Sequence, residues 1–193
     1  TGVKAIDHCV EALLSIRSQP VTDALALQAL DMLFTALPAC KTDPGDLHVR
    51  LNCQIAAWMS VSGLANVSLG LSHGMGHQLG AINAVPHGYT SCVVLPHVIG
   101  FNRPTTLDRQ AWISEALRLS NAASVEERAG ALEDGMRDLV HDLALPSRLP
   151  DIGVVRADFA HIPAMAMSDP LVASNPRPVP TPEIVLELLE KAW

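Results

Sequence analysis

Four of the eight histidines in this 193-residue sequence fall within one stretch, at His73, His77, His87 and His97. From Ser72 to Phe101 it reads S-H-G-M-G-H-Q-L-G-A-I-N-A-V-P-H-G-Y-T-S-C-V-V-L-P-H-V-I-G-F. His73 and His77 stand at i and i+4, so on a helix they share one face about one turn apart. His87 follows Ala84-Val85-Pro86 and precedes Gly88, where the chain can double back. Two imidazoles on a helix and a third on a returning loop suit a metal site or a proton-transfer site.

The elements that must position these residues read as helices. Val3, Ile6, Val10, Leu13 and Leu14 repeat at helical spacing until Ser18-Gln19-Pro20 stops the pattern. A second helix is expected over Thr22–Leu37. Asp46 is placed to cap a third, carrying Leu51, Ile55, Trp58 and Met59 towards Ser68. The apolar run Ile55–Leu71, broken by serines and glycines, is too polar to span a membrane and reads as a helix buried on all sides. Asn102-Arg103-Pro104 breaks the chain; further helices are expected over Leu107–Ser120, Val125–Leu143, Ala157–Met167 and Glu183–Ala192. Asp169–Pro182 holds five prolines and reads as an extended strap. Only Ser91–Leu95 alternates strand-forming residues. The expected fold is therefore all-α, one domain over residues 1–193 with about eight helices.

Composition narrows the partners. Net charge is −7 with no basic run, against nucleic acid and anionic membranes. Charged residues make up 17%, below the typical value of roughly 25%, so part of the surface is expected to be covered by another domain or subunit. Cys9, Cys40, Cys53 and Cys92 form no C-x-x-C pair and read as reduced thiols of a soluble, cytoplasmic protein. Gly74 and Gly76 interleave with histidines and follow no strand, so no dinucleotide cradle is present.

With His8 on the first helix included, the pattern T-G-V-K-A-I-D-H-C-V-E-A-L, S-H-G-M-G-H-Q-L-G-A, V-P-H-G, V-V-L-P-H-V and S-D-P-L-V-A-S-N-P-R-P resembles the helical C-terminal half of the iron-containing (group III) alcohol dehydrogenases. The resemblance runs along nearly the whole chain. It implies a dehydroquinate-synthase-like helical domain that follows an N-terminal nucleotide-binding domain not present in this chain. It also implies hydride transfer between NAD or NADP and a carbonyl held by a divalent metal, iron or zinc. The implied metal ligands are His8, His73 and His87. His77 matches the histidine near the nicotinamide and substrate that helps in proton transfer. A homodimer is implied as well, with the isolated chain inactive.

One position departs from the family pattern. The resemblance places an aspartate ligand one turn before the first histidine, and here that residue is Lys4. An ammonium is repelled by a dication and has no free lone pair. Asp7 lies beside His8, but adjacent helical residues point about 100° apart. Either three histidines hold the metal, or Lys4 itself stabilises developing negative charge on a substrate oxygen. The second case favours an anionic substrate and the maleylacetate reductase branch, whereas Gly88 after Pro86-His87 looks more like the alcohol dehydrogenases. The substrate is thus an alcohol/aldehyde pair or an oxo acid. A reading from another class is a non-catalytic helical module that binds a metal or a partner. His48, His97, His141 and His161 read as packing or surface groups.

Overall fold

A computed structural model describes all residues, 1–193, and contains helices and turns but no strand. There are nine α-helices: α1 Gly2–Leu14, α2 Pro20–Thr42, α3 Leu47–Ser62, α4 Leu71–Asn83, α5 His87–Ala116, α6 Val125–Asp142, α7 Ile162–Ala166, α8 Pro170–Ala173 and α9 Pro182–Lys191. Short 3-10 turns occupy Leu64–Asn66, Leu149–Ile152 and Arg156–Ala160. The all-α expectation holds, and the apolar spacing of α1 is used as read: Val3, Ile6, Val10, Leu13 and Leu14 are all buried.

Local chemistry sets the helix ends. Pro20 opens α2 behind Gln19, whose side chain accepts from Val21 N–H at 3.0 Å. Asp46 caps α3 by accepting from His48 N–H at 2.8 Å and Val49 N–H at 3.1 Å. Ser124 caps α6 through Glu127 N–H at 3.1 Å. Ala84 takes a left-handed conformation, φ 53°, at the end of α4. That turn sends the chain back along α4, and His87 becomes the first residue of α5.

The helices enclose two hydrophobic cores. The first gathers Ile6 and Leu13 of α1, Leu30 and Leu33 of α2, and Leu132 and Met136 of α6. The second gathers Leu71, Met75 and Leu79 of α4 with Ile162 of α7 and Leu188 of α9. Helix α5 is the wall between them, giving Leu95, Ile99 and Ile113 to the first and Val93, Val94 and Val98 to the second. Full burial of a side chain such as Ile6 or Leu71 contributes about 1.5–3 kcal/mol. The seam between the cores, where α1 meets α4, is polar.

Ser91–Leu95, the one stretch with strand-like alternation, is helical and wholly buried, in keeping with the all-α expectation; a helix enclosed on every side can carry β-branched residues without an amphipathic pattern. Two expectations need correction. Pro104 does not end its helix. The chain stays helical through it and bends at Thr106, φ −131° and ψ 23°. The Thr105 and Thr106 hydroxyls donate to Asn102 C=O at 3.0 and 2.9 Å, and Gln110 Nε2 donates to Ile99 C=O at 2.8 Å, so carbonyls freed near the bend keep partners. Finally, Ile55–Leu71 is not one buried helix. It spans the end of α3, a 3-10 turn and the start of α4, and only Ala56 and Ser60 of α3 are buried. Leu47, Leu51 and Trp58 form an exposed apolar stripe on α3. By length and composition α2 could cross a membrane, but it packs Ala26, Leu30 and Leu33 against the first core.

Candidate active site

The polar seam is built from α1 and the start of α4. Glu11, one turn after Asp7, is 5% exposed and accepts from Gly70 N–H at 2.8 Å, Ser72 N–H at 2.8 Å and His73 Nδ1 at 2.6 Å. Those backbone N–H groups open α4, so a buried carboxylate from another helix caps it and complements its positive end. The same bond orients the His73 ring. Burial disfavours the His73 imidazolium, but the Asp7 and Glu11 carboxylates outweigh it and raise its pKa above the ordinary histidine value.

Asp7 is fully buried and accepts from Ser91 Oγ at 2.6 Å and from Lys4 Nζ at 3.3 Å; His73 Nδ1 lies 3.6 Å from it. Burial opposes its charge. The His73 and Lys4 charges and the Ser91 and Ser72 hydroxyls prevail and hold the carboxyl below the usual range. Asp7 therefore anchors Lys4 and does not stand in for a missing ligand beside His8. The His8 ring points elsewhere and stacks on His73, with centroids 5.1 Å apart and planes at 23°. Burial, helped by the His73 and Lys4 charges, pushes His8 down to about 4, so it is neutral at pH 7.

His77 is one turn further along α4 and its side chain is 44% exposed. It meets His87 edge to face, with centroids 5.8 Å apart. His87 is depressed by burial and by the charges of Lys4, His77 and His73. Lys4 and His87 line a pocket of about 580 Å³ with Lys41, Tyr89 and the apolar side chains of Leu37, Leu143 and Leu145.

The structure thus brings Lys4, His8, His73, His77 and His87 into one neighbourhood, in two pairs of rings. It does not gather His8, His73 and His87 into one ligand shell. Ligands of a single ion at metal–nitrogen distances of about 2.1 Å lie no more than about 4.2 Å apart. Only Asp7, Glu11 and His73 bring three donor atoms within 4.8 Å of one another. That trio is a closed ion cluster: the His73 Nδ1 proton is used on Glu11 and all three residues are buried. A catalytic metal needs an open coordination position, and with Nδ1–H donated to Glu11 the neutral His73 ring offers a lone pair only at Nε2, away from the two carboxylates. His8 Nδ1 and His73 Nε2 are buried without partners, which leaves room for a polar atom between the helices. With Lys4 Nζ beside the cluster, this donor set does not fit a resident divalent ion.

Several residues in the site were not anticipated. Glu11 lies i+4 from Asp7, so two carboxylates on one face of an apolar helix were a usable signal. Ser91 sits in the one short stretch with strand-like alternation, which carried no functional signal. Asp169, which accepts from His77 Nδ1 at 2.8 Å, is 92 residues away and gave no local signal. The proline-rich strap is a packing element as expected but is not extended throughout, since Pro170–Ala173 is the short helix α8. Asn175 Oδ1 accepts from Leu71 N–H at 3.0 Å, while its Nδ2 donates to Asn102 Oδ1 and to Arg177 C=O, both at 2.7 Å. Arg177 donates to Phe101 C=O at 2.8 Å and lies over the Phe101 ring at 4.2 Å. It serves the strap and pairs with no acidic group.

Comparison with known proteins agrees with this architecture. Residues 1–193 match the C-terminal domain of the Fe-containing alcohol dehydrogenase family. The chain is 31% identical over 194 residues to lactaldehyde reductase of Escherichia coli, covering 100% of this chain and 50% of that protein. It is 34% identical over 178 residues to 1,3-propanediol dehydrogenase of Citrobacter freundii, covering 92% and 46%. Against maleylacetate reductase of Delftia acidovorans it is 34% identical over 193 residues, covering 100% and 51%. Among solved structures, a 1,3-propanediol oxidoreductase superposes with a TM-score of 0.95 at 31% identity, covering 100% of this chain and 50% of that one. A maleylacetate reductase from Rhizobium sp. superposes with a TM-score of 0.85 at 26% identity, covering 100% and 51%. The chain spans about half the length of the curated relatives it matches.

Proposed function

The chain belongs to the iron-containing alcohol dehydrogenase family, and on that premise we propose that it forms the substrate half of an NAD(P)-dependent oxidoreductase acting on CH–OH groups. The family brings a metal and a nicotinamide cofactor in general. In this reading the cofactor is held mainly by a preceding nucleotide-binding domain, because this helical chain offers no glycine-rich cradle for its phosphates. Bound NAD(P)H supplies the hydride that reaches the carbonyl carbon.

The observation that carries the reading is Lys4, fixed by Asp7 at 3.3 Å on the wall of the 580 Å³ pocket. Its ammonium faces the carbonyl oxygen, polarises it and stabilises the alkoxide formed as the C=O π bond breaks. His77 gives that oxygen a proton and leaves as the neutral imidazole, completing the alcohol. His87 lines the same pocket as Lys4 and meets the His77 ring edge to face. His8 and His73, implied as ligands by the resemblance, here anchor the polar floor. Lys41 lines the same pocket as Lys4, and two ammonium groups favour an oxo acid over a neutral aldehyde. The low charge content and the apolar stripe on α3 support a homodimer or a covering domain, and the four free cysteines support a cytoplasmic location.

The test uses the intact enzyme with NADH and NADPH against a panel of small aldehydes and oxo acids, before and after dialysis against a chelator. Turnover that survives chelation and falls about 10²–10³-fold in Lys4→Met is the expected result. Stoichiometric iron or zinc, with activity lost on its removal, refutes the Lys4 mechanism. No turnover with any carbonyl leaves the non-catalytic module as the better account.

A further inference from the structure

His77 is exposed, its side chain 44% accessible, yet one edge of its ring is held. Nδ1 donates to Asp169 Oδ2 at 2.8 Å, and the Asp169 side chain is only 9% exposed. The other carboxylate oxygen accepts from Leu171 N–H at 2.9 Å and caps α8. Gln78 Nε2 makes a longer contact, 3.5 Å, to Oδ2. Both oxygens are therefore committed, one to the helix and one to the imidazole.

The segment carrying Asp169 is fixed against α4 at close range. A Cβ on Gly74 would fall 2.5 Å from Val172 Cγ2, so α8 lies directly on the α4 backbone. Ser174 Oγ donates to Leu69 C=O at 2.7 Å, and Asn175 accepts from Leu71 N–H. Three contacts within six residues thus hold Asp169 in register with His77.

The geometry points to Asp169 as a positioning residue that sets the tautomer and direction of His77, an inference that rests on the proton-transfer role proposed above. A carboxylate on Nδ1 accepts and cannot donate, so the neutral ring keeps its proton at Nδ1 and presents the Nε2 lone pair outward. After the ring has gained a proton at Nε2, the same carboxylate stabilises the imidazolium until that proton passes to the alkoxide oxygen. Nε2 is thereby the atom that exchanges protons with substrate and solvent. Nothing else in contact with Nδ1 imposes this choice.

Asp169→Asn separates positioning from folding. The amide oxygen still caps α8, since Asn is as good a cap as Asp, while the amide NH2 faces Nδ1 and forces the opposite tautomer. Asp169→Ser also keeps a cap but leaves Nδ1 without its acceptor. The first measurement is the nitrogen–proton correlation spectrum of the 15N-histidine-labelled intact enzyme, with His77 assigned by its loss in His77→Gln. The native ring is expected to carry its proton at Nδ1, Asp169→Asn at Nε2, and Asp169→Ser as a mixture. A native Nε2–H tautomer, or identical spectra for native enzyme and Asp169→Asn, overturns the inference.

The second measurement is turnover with propanal and with 4-oxopentanoate. In Asp169→Asn, kcat is expected to fall about 10²-fold or more with KM for carbonyl and cofactor nearly unchanged, and Asp169→Glu is expected to recover part of it. Unchanged kcat in Asp169→Asn also overturns the inference. If neither carbonyl is reduced, the oxidoreductase reading fails for these substrates, and the tautomer spectrum alone decides the role of Asp169.

Discussion

Replacing Lys4 by methionine keeps the length and apolar stem of the side chain and removes only the ammonium. Lys4 Nζ lies 3.3 Å from Asp7 Oδ2, with side-chain exposures of 17% and 0%. At an effective dielectric constant of about 20, unit charges at that distance attract by about 5 kcal/mol. Part of this is kept in the variant, because Asp7 still has Ser91 Oγ at 2.6 Å and His73 Nδ1 at 3.6 Å. The expected net loss is about 2–3 kcal/mol, below the full attraction and near the lower edge for a broken buried pair. For a domain of this size that lowers Tm by about 4–12 °C. Turnover should fall about 10²–10³-fold, the usual effect of removing one donor to a developing oxyanion. Thermal unfolding at pH 7 and steady-state kinetics on the intact enzyme read the two losses separately. Adding Asp7→Asn removes the uncompensated charge, so Lys4→Met with Asp7→Asn should regain most of the Tm and none of the turnover. A double variant that regains turnover, or a single variant with native kcat and lowered Tm, reduces Lys4 to a structural ion-pair partner and refutes its proposed catalytic role.

Other outcomes follow from the packing. His97 is pushed down to about 4 by burial and by Arg137, whose Nη2 lies 3.3 Å from its Nδ1, with Glu133 opposing and Lys191 adding. Its folded pKa is below its unfolded one, so the stabilisation is complete above about pH 6.5 and is lost as pH falls towards 4. His97→Gln should flatten that part of the stability–pH curve, as read by denaturant midpoints, and an unchanged curve would contradict the assignment. Gly74→Ala should cost about 1–3 kcal/mol by forcing Val172 away from α4, and kcat should fall with it as Asp169 loses register; a native Tm would show that the contact gives way freely. Asn175→Ala leaves the Leu71 N–H and the Asn102 carboxamide without their shared partner, costing about 2–4 kcal/mol, measurable by urea unfolding.

Much of the fold was legible because burial on one side leaves a period. The apolar positions of α1 and the Asp46 cap of α3 were read directly from spacing and residue type. The signal was weakest where that period vanishes. Ser91–Leu95 is enclosed on all sides, so its residues carried no helical signature of their own. The apolar face of α3 suggested an interior helix, but apolarity does not say whether burial occurs within this chain or against another surface. In the site, the histidines and Lys4 were visible as chemistry at a known spacing. Ser91 and Asp169 were not, because each acts through a partner 84 and 92 residues away respectively; Glu11 carried a signal in its i+4 spacing from Asp7, although its partner His73 is 62 residues away.

Those separations also govern the order in which the molecule becomes competent. Helices α1 to α4 can form from local hydrogen bonds and nearby apolar contacts. The latch at Asn175, by contrast, closes onto Leu71 across 104 residues and onto Asn102 across 73. Closing loops of that span costs entropy before any contact repays it. A chain emerging from the ribosome can therefore hold a collapsed bundle, with His73 already bound to Glu11, while the His77 ring still turns freely. The proton-transfer competence proposed for His77 would arrive with the strap, so recovery of activity should trail recovery of helix content in refolding, and a misfolded strap should give a helical, compact and inert protein.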